Sequence, residues 1–263
     1  MGTISSSASV NPRIVSNREL KVPNRSGRVA IIINAKVKQE GRLIATSPVT
    51  ERMVWALKGA IARHSPETVI ETLAVASLWS QSAQQQTELG GKIYCPLTIQ
   101  LPPWLVFPQQ AIYQACEAVQ SRRQWVRNQL GAPVLDTAQT LGDCWLPIIW
   151  SAGELQFGAA ITEGAMPNAY QQLGPLAPAL TETLQRLARS LLEELRAPSS
   201  VYLLQFALRR EEVIFDRLWP FPAAPALASL NKTTPDLFAY HWFCLSGQPL
   251  SALLPPDPEK ALP

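Results

Sequence analysis

The side chains best suited to chemistry in this sequence are its two histidines, His64 and His241. A Ser–His or Cys–His nucleophile pair would have to use one of them. His64 falls at the end of an apolar-patterned helix, where we predict a solvated or capping role. His241 lies in the aromatic run that ends at Cys244, but closeness in sequence does not make these two residues a dyad. We therefore predict no catalytic residue at either histidine.

Motifs for phosphate, metal and redox chemistry are missing from the sequence. It contains no GxxxxGK or GxGxxG loop, no GxSxG elbow and no HExxH helix. The cysteines are widely spaced, without a CxxC pair, so neither a zinc site nor a redox pair is indicated. We expect reduced and mostly buried thiols at all four positions: Cys95, Cys116, Cys144 and Cys244.

The start of the chain bears on location. The first twenty residues lack an apolar signal segment, which favours a cytoplasmic protein. The Ser-rich, acid-free stretch up to Arg18 leaves import into an organelle open as an alternative. No apolar run approaches the roughly 18 residues that a membrane-spanning helix needs, so we predict no transmembrane segment.

Charge is unevenly distributed along the chain. The net charge is +3, yet residues 1–42 hold eight basic against two acidic residues. A basic arm of this kind suits an acidic partner, a membrane surface or nucleic acid, but its basic residues are scattered without interleaved aromatics, so we predict a solvated tail. A second basic cluster, Arg122, Arg123 and Arg127, lies near the C-terminal end of a predicted helix, where the helix dipole favours cations. We predict that this cluster is a solvated helix face, with phosphate binding as the alternative.

Hydrophobic patterning predicts an α/β (α+β) protein with a mixed sheet and packed helices. The 47% hydrophobic and 16% charged fractions are those of a globular chain rather than a disordered one. A β-branched run predicts a buried strand over 28–34, and a hairpin is plausible between Lys36 and Ile44. Further predicted strands cover residues 93–100, 145–150, 155–161, 201–208 and 213–215.

Capping and periodicity signals predict the helices. Ser47–Pro48 opens one helix and Ser65–Pro66 a second that continues through Leu78, giving an αα unit. Further helices are predicted over 109–130, 179–196 and 234–245. We divide the chain into a flexible basic arm (1–27), an N-terminal α/β region (28–140), a C-terminal α/β region (141–254) and a Pro-rich tail (255–263).

A Pro-rich aromatic segment follows the last predicted strand. Proline cannot donate to a sheet ladder, so the segment must leave the sheet there. Trp and Phe rings are favoured at interaction surfaces. We predict that this segment presents its rings to a groove or partner: Leu218, Trp219, Pro220, Phe221 and Pro222.

From about Trp145 to Leu250 the sequence resembles the C-terminal half of an ATP-grasp domain, closest to N5-carboxyaminoimidazole ribonucleotide synthetases. The resemblance rests on the order of segments: LPII over 146–149, a Gly-Glu-Leu turn into FGAA over 157–160, LARSLL over 187–192 and VYLLQF over 201–206. It ends with DLFAYH over 236–241 and LSGQPL over 245–250. The resemblance implies an ATP-grasp-like fold for this half of the chain.

The residues that carry the chemistry in that family are replaced here. In such enzymes two carboxylates hold Mg²⁺ between the phosphates of ATP, because a hard cation needs oxygen ligands. The resemblance puts the first carboxylate on Gln205. The second belongs to an Asn-Glu pair, which falls on Asp216 and Arg217. The resemblance puts the basic residue of a following Pro-Arg on Phe221. We therefore predict a degenerate site without metal or cofactor, and do not expect Mg-ATP to bind.

Three hypotheses for function follow. The first is a non-catalytic binding, assembly or regulatory protein with a protein partner. The second is a divergent ATP-dependent ligase that uses Asp216 with further carboxylates such as Glu154 or Glu163. The third is a nucleic-acid-binding factor that uses the basic arm and the arginine cluster.

Overall fold

The computed structural model describes residues 27–37, 43–44, 46–80, 91–136 and 141–253. Both the predicted basic arm, apart from Gly27, and the Pro-rich tail lie outside these residues. Helices run over Pro48–His64 (α1), Val75–Trp79 (α2), Gln110–Glu117 (α3), Val119–Leu130 (α4), Pro178–Glu194 (α5) and Leu237–Ser246 (α6). Short 3₁₀ helices cover Ala224–Ser229 and Leu250–Leu253.

The strands of the N-terminal half form a parallel sheet and a small hairpin. They are Arg28–Ile33 (β1), Lys36–Val37 (β2), Leu43–Ile44 (β3), Val69–Ala74 (β4) and Ile93–Pro96 (β5). The parallel sheet has the order β4-β1-β5, and β2 pairs with β3 as the predicted hairpin. Five consecutive residues of β1, from Val29 to Ile33, are fully buried, as expected for a central parallel strand covered on both faces.

The C-terminal half contains an antiparallel sheet. Its strands are Cys144–Ser151 (β6), Glu154–Phe157 (β7), Ile161–Glu163 (β8), Tyr170–Gln172 (β9), Ser200–Arg209 (β10) and Glu212–Trp219 (β11). The order is β11-β10-β6-β8-β9, with β7 also paired to β6. A parallel bridge between Val134 and Phe215 adds the segment after α4 to the β11 edge.

The α/β class with packed helices is confirmed. Parallel pairing builds the β4-β1-β5 sheet, and antiparallel pairing builds the six-stranded sheet and the β2–β3 hairpin. One apolar core runs through both halves of the chain. The indole of Trp242 on α6 donates to Ser65 Oγ at the end of α1, at 3.0 Å, and so ties the C-terminal half to the N-terminal half. No helix in the described part of the chain is long and apolar enough to cross a membrane.

Local signals located several elements correctly. The Ser47 side chain accepts from the backbone N–H of Thr50 at 3.2 Å, as a helix N-cap should, and Pro48 begins α1. Gly131 and Gly247 take left-handed conformations at the ends of α4 and α6, where a residue without a side chain relieves steric strain.

The αα unit predicted for residues 48–78 is wrong. Residues 69–74 form β4, which pairs in parallel with β1, and only the five residues Val75–Trp79 are helical. The β-branched side chains of Val69, Ile70 and Thr72 favour the extended form, and pairing with the buried β1 outweighs the weak helical period.

Three other boundaries differ from prediction. The helix expected over 109–130 is divided into α3 and α4 at Ala118, whose ψ is 60°. Residues Tyr170–Gln172, for which no strand was predicted, form β9, which pairs with β8. The helix expected from Thr234 begins at Leu237, where the Asp236 carboxylate accepts from two backbone N–H groups.

Candidate functional site

A β-bulge positions the acidic residue singled out by the sequence. In the β10–β11 pair, Gln205 lies opposite Arg217 and Phe206 lies opposite Phe215, so Asp216 is the extra residue on β11. A bulge of this kind re-aims a side chain that regular alternation would place elsewhere. Asp216 is fully buried, with 0% of its surface exposed.

Helix α4 supplies the counterion of Asp216. Arg123 Nη2 lies 2.5 Å from Asp216 Oδ1, and Arg123 Nε donates to the Asp216 backbone carbonyl at 3.1 Å. Arg123 is only 2% exposed, so the prediction that it lies on a solvated helix face is wrong. A buried carboxylate requires a paired charge and hydrogen bonds, and this demand outweighs the preference of arginine for water.

The other two members of the arginine cluster are placed differently. Arg127 remains exposed and forms a surface ion pair with Asp136, while Arg122 is half-buried. The three arginines therefore do not present one basic surface for a phosphate.

Two further donors complete the surroundings of Asp216. The backbone N–H of Gly142 donates to Asp216 Oδ2 at 2.8 Å, and Arg217 Nε lies 3.2 Å from Oδ1. A Cβ built on Gly142 would lie 2.5 Å from the carbonyl oxygen of Phe206. Only glycine therefore allows the chain to approach β10 closely enough to reach the carboxylate.

The amide of Gln205 is satisfied at both ends. Its Nε2 donates to the Gly142 carbonyl at 2.5 Å, and its Oε1 accepts from the indole Nε1 of Trp219 at 2.8 Å. The Arg217 guanidinium lies over the Trp219 ring, 5.7 Å from its centroid. We refer to these six residues as the Asp216 network: Arg123, Gly142, Gln205, Asp216, Arg217 and Trp219.

The Asp216 network does not fit a divalent cation. A hard cation needs several oxygen ligands that are free to turn towards it. The two carboxylate oxygens of Asp216 face two guanidinium groups and a backbone N–H, and the amide oxygen of Gln205 faces an indole N–H. Within the described ranges, no three His, Cys, Asp or Glu side chains form a group that could hold a metal. The charge of Asp216 is balanced by the guanidinium groups of Arg123 and Arg217.

Glu154 and Glu163, considered as additional ligands for a ligase, are exposed strand residues outside the Asp216 network. Glu163 Oε1 accepts from the backbone N–H of Asn168 at 2.6 Å in the β8–β9 connection. Glu154 lies opposite Ser151 at the end of the β6–β7 hairpin.

The aromatic segment after β11 belongs to the core rather than to a presented surface. Phe221 is 3% exposed and stacks in parallel on Tyr113, with ring centroids 5.9 Å apart. Pro220 and Pro222 are buried, and Trp219 is half-buried with its edge against Phe221. The segment leaves the sheet as predicted. It does so by turning inwards, because the ring of Phe221 stacks on Tyr113 of α3.

His241 is buried and neutral. Its Nδ1 accepts from the Val201 N–H at 3.4 Å and contacts Ser200 Oγ at 3.2 Å, so the ring proton sits on Nε2. Burial lowers the pKa of His241 to about 3. Both Ser200 and His241 are only 1% exposed, so this Ser–His contact is closed to a substrate and acts as a core hydrogen bond.

The remaining nucleophile candidates are also inert. Cys244 donates to the Trp150 carbonyl rather than to His241, and His64 packs edge-on against Phe243 with ring centroids 5.0 Å apart. All four cysteines are buried free thiols, as predicted. Burial raises the pKa of Cys116 and Cys244 to about 12 and that of Cys144 to about 11, so thiolates are scarce at neutral pH.

A cleft of about 420 Å³ lies between the antiparallel sheet and helix α5. It is lined by apolar and small residues, among them Leu146, Phe157 and Leu184, with Thr181 and Gln185 as its polar side chains. No charged side chain of the described residues lines it, so these residues offer no counter-charge to a triphosphate.

Solved structures show where this architecture recurs. Glycinamide-RNase-transformylase T from Mycobacterium tuberculosis matches with a TM-score of 0.62 at 13% identity, over 84% of this chain and 79% of that one. N5-carboxyaminoimidazole ribonucleotide synthetase from Thermus thermophilus gives 0.61 at 10% identity, over 84% and 79%. The fold is ATP-grasp-like.

A third neighbour of this ATP-grasp-like chain is the L-amino acid ligase from Bacillus licheniformis, with a TM-score of 0.59 at 9% identity over 88% of this chain and 78% of that one. No protein-family model matches the sequence, and no curated protein matches it. At these identities the likeness concerns the fold alone. The sequence resemblance began near Trp145, whereas the structural match extends over most of the N-terminal half as well.

Sequence reasoning placed Gln205, Asp216 and Arg217 together, and the structure brings them together in one network. It missed Arg123 and Gly142. The pairing of Arg123 with Asp216 spans 93 positions, and no local pattern signals it.

Proposed function

We propose that this chain is a non-catalytic binding, assembly or regulatory protein built on a degenerate ATP-grasp-like fold. One observation supports this above the others: Arg123 lies 2.5 Å from Oδ1 of Asp216, the only carboxylate among Gln205, Asp216 and Arg217. A fully desolvated arginine–carboxylate pair is costly to separate, so a dissolved divalent cation competes poorly for the same oxygen atoms.

The polar groups around Asp216 support the same proposal. Gln205 supplies an amide where a carboxylate would be needed, and both of its ends are bonded within the chain. Arg217 adds a second positive charge close to the buried carboxylate. Such a network satisfies these buried polar groups within the chain, so the oxygen atoms of Gln205 and Asp216 are not free to bind a ligand.

The alternative is a divergent ATP-dependent ligase, which the fold of the neighbouring structures favours. In that case Mg-ATP binding would depend on Asp216 after displacement of Arg123. The arginine-cluster part of the nucleic-acid hypothesis has lost support, since Arg123 is buried and does not contribute to a basic surface. Its other part, the basic arm, lies outside the described residues apart from Gly27 and stays a prediction.

Isothermal titration calorimetry with Mg-ATP separates the first two functions. The non-catalytic proposal predicts no saturable heat with the native chain. Micromolar binding that the Asp216→Asn variant loses would support the ligase instead. Because that substitution disturbs a buried pair, circular dichroism must first show that the variant is folded at the titration temperature.

A further inference from the structure

One row of helix α1 is exposed along its whole length. Glu51, Trp55, Gly59 and Arg63 follow one another at intervals of four, and all four are exposed. Trp55 is 71% exposed, which is unusual for the side chain with the most apolar surface to bury. The opposite side of α1 packs into the core through Met53, Val54, Leu57, Ala60 and Ile61.

Gly59 keeps one side of the Trp55 ring uncovered. Side chains of a helix lean towards its N-terminus, so any side chain at position 59 would lie over the turn that carries Trp55. A Cβ built on Gly59 meets no atom within 4 Å, and glycine is disfavoured in a helix interior relative to alanine. Packing within the described part of the chain therefore does not explain the glycine, whereas close approach by another helix does.

The charges at the two ends of the row are complementary. Glu51 lies six positions before Leu57 and Arg63 lies six positions after it, and the same symmetry relates Trp55 and Gly59 two positions on either side. Among the ion pairs of the described residues, neither Glu51 nor Arg63 takes part in one.

We propose that this row is the contact surface of a symmetric dimer with a second copy of this chain. Two antiparallel α1 helices related by a two-fold axis that crosses the row midway between Trp55 and Gly59 place Trp55 of each copy against Gly59 of the other. The same axis places Glu51 of each copy opposite Arg63 of the other. Packing of two rows whose residues are spaced four apart is the commonest helix–helix geometry in globular proteins. An interface in which both copies use the same surface closes at two copies.

Each of the four exposed residues of the row then has one partner in the other copy. The ring of Trp55 fills the gap above Gly59, and the two Glu51–Arg63 pairs fix the antiparallel direction. A contact made mainly by one helix from each copy is small, so the dimer is of the weak, concentration-dependent class.

Sedimentation equilibrium of the full chain up to millimolar concentration tests this proposal. We expect a monomer–dimer equilibrium. A single substitution occurs in both copies and so disrupts both Glu51–Arg63 pairs. Glu51→Arg or Arg63→Glu should therefore each weaken dimerisation by about tenfold. The double variant Glu51→Arg/Arg63→Glu restores opposite charges and should return to the native dissociation constant.

Gly59→Leu tests the steric part of the proposal. It should improve the helix propensity of α1 while abolishing the dimer, which separates loss of contact from loss of fold. Trp79→Ala removes another exposed tryptophan and serves as the matched control, with no change expected. A chain that stays monomeric overturns the proposal, and so does a dimer that survives Gly59→Leu or that the double charge exchange fails to restore.

Discussion

The Arg123–Asp216 pair leads to a sharp prediction about stability. The two side chains are 3% and 0% exposed, so removal of either leaves a charge in a site that water does not reach. Breaking a buried pair of this kind costs about 3–5 kcal/mol, a large part of the total of about 5–15 kcal/mol that stabilises a typical domain. Asp216→Asn should cost this amount, because the guanidinium of Arg123 then lacks its counterion.

The loss of stability caused by Arg123→Met should lie towards the lower end of that range. The carboxylate keeps the Gly142 N–H and the partly exposed Arg217 as partners. The double variant Arg123→Met/Asp216→Asn should cost less than the two single losses added together, since each substitution removes the penalty that the other creates. Urea unfolding of the four proteins measures all three quantities.

Arg127→Met provides the matched control for this experiment. Arg127 also lies on α4 and also pairs with an aspartate, but that pair is 49% and 79% exposed. Its loss should change the free energy of unfolding by less than about 1 kcal/mol. Single losses below about 1 kcal/mol at Arg123 or Asp216, or strictly additive losses in the double variant, would refute the description of a buried, coupled pair.

Two further predictions concern His241 and Gly142. The folded-state pKa of His241 is about 3, against about 6.5 when unfolded. The contribution of His241 to the free energy of unfolding is therefore complete above about pH 6.5 and is lost as the pH falls towards 3. Between pH 7 and pH 5 this loss amounts to about 2 kcal/mol. Urea unfolding at the two pH values should show a smaller drop for His241→Asn, and an equal drop in both proteins would contradict the assignment. Gly142→Ala should destabilise the fold by about 1–3 kcal/mol, because its Cβ meets the backbone of Phe206. Gly59→Ala, which meets open space, should instead be stabilising, and equal effects at the two glycines would argue against the close approach at Gly142.

Local chemistry predicted much of the architecture. The β-branched run of β1, the Ser47–Pro48 start of α1 and the Leu stripe of α5 each act within a few residues, so the sequence shows them directly. Where a tertiary partner decides, prediction from local pattern failed. Residues 69–74 become a strand because β1 lies beside them, and that partner is distant in sequence.

The candidate site divides in the same way. A comparison of side-chain types was enough to show that Gln205, Asp216 and Arg217 cannot form the carboxylate pair of a metal site. The pairing of Arg123 with Asp216 could not be predicted from the sequence, since Arg123 carries the same local signal as the exposed Arg127 four residues later. Burial of Phe221 was missed for a related reason: a Pro-rich aromatic segment has no periodicity, and only its packing on Tyr113 shows which way the rings point.

We propose that Arg123 holds Asp216 in place of a metal ion, so that the ATP-grasp-like fold does not bind Mg-ATP. Calorimetric titration of Mg-ATP into the native chain tests it most directly, with buffer and Mg²⁺ alone as references. We expect only heats of dilution up to millimolar nucleotide. Saturable binding at micromolar concentration, lost in a folded Asp216→Asn variant, would contradict it.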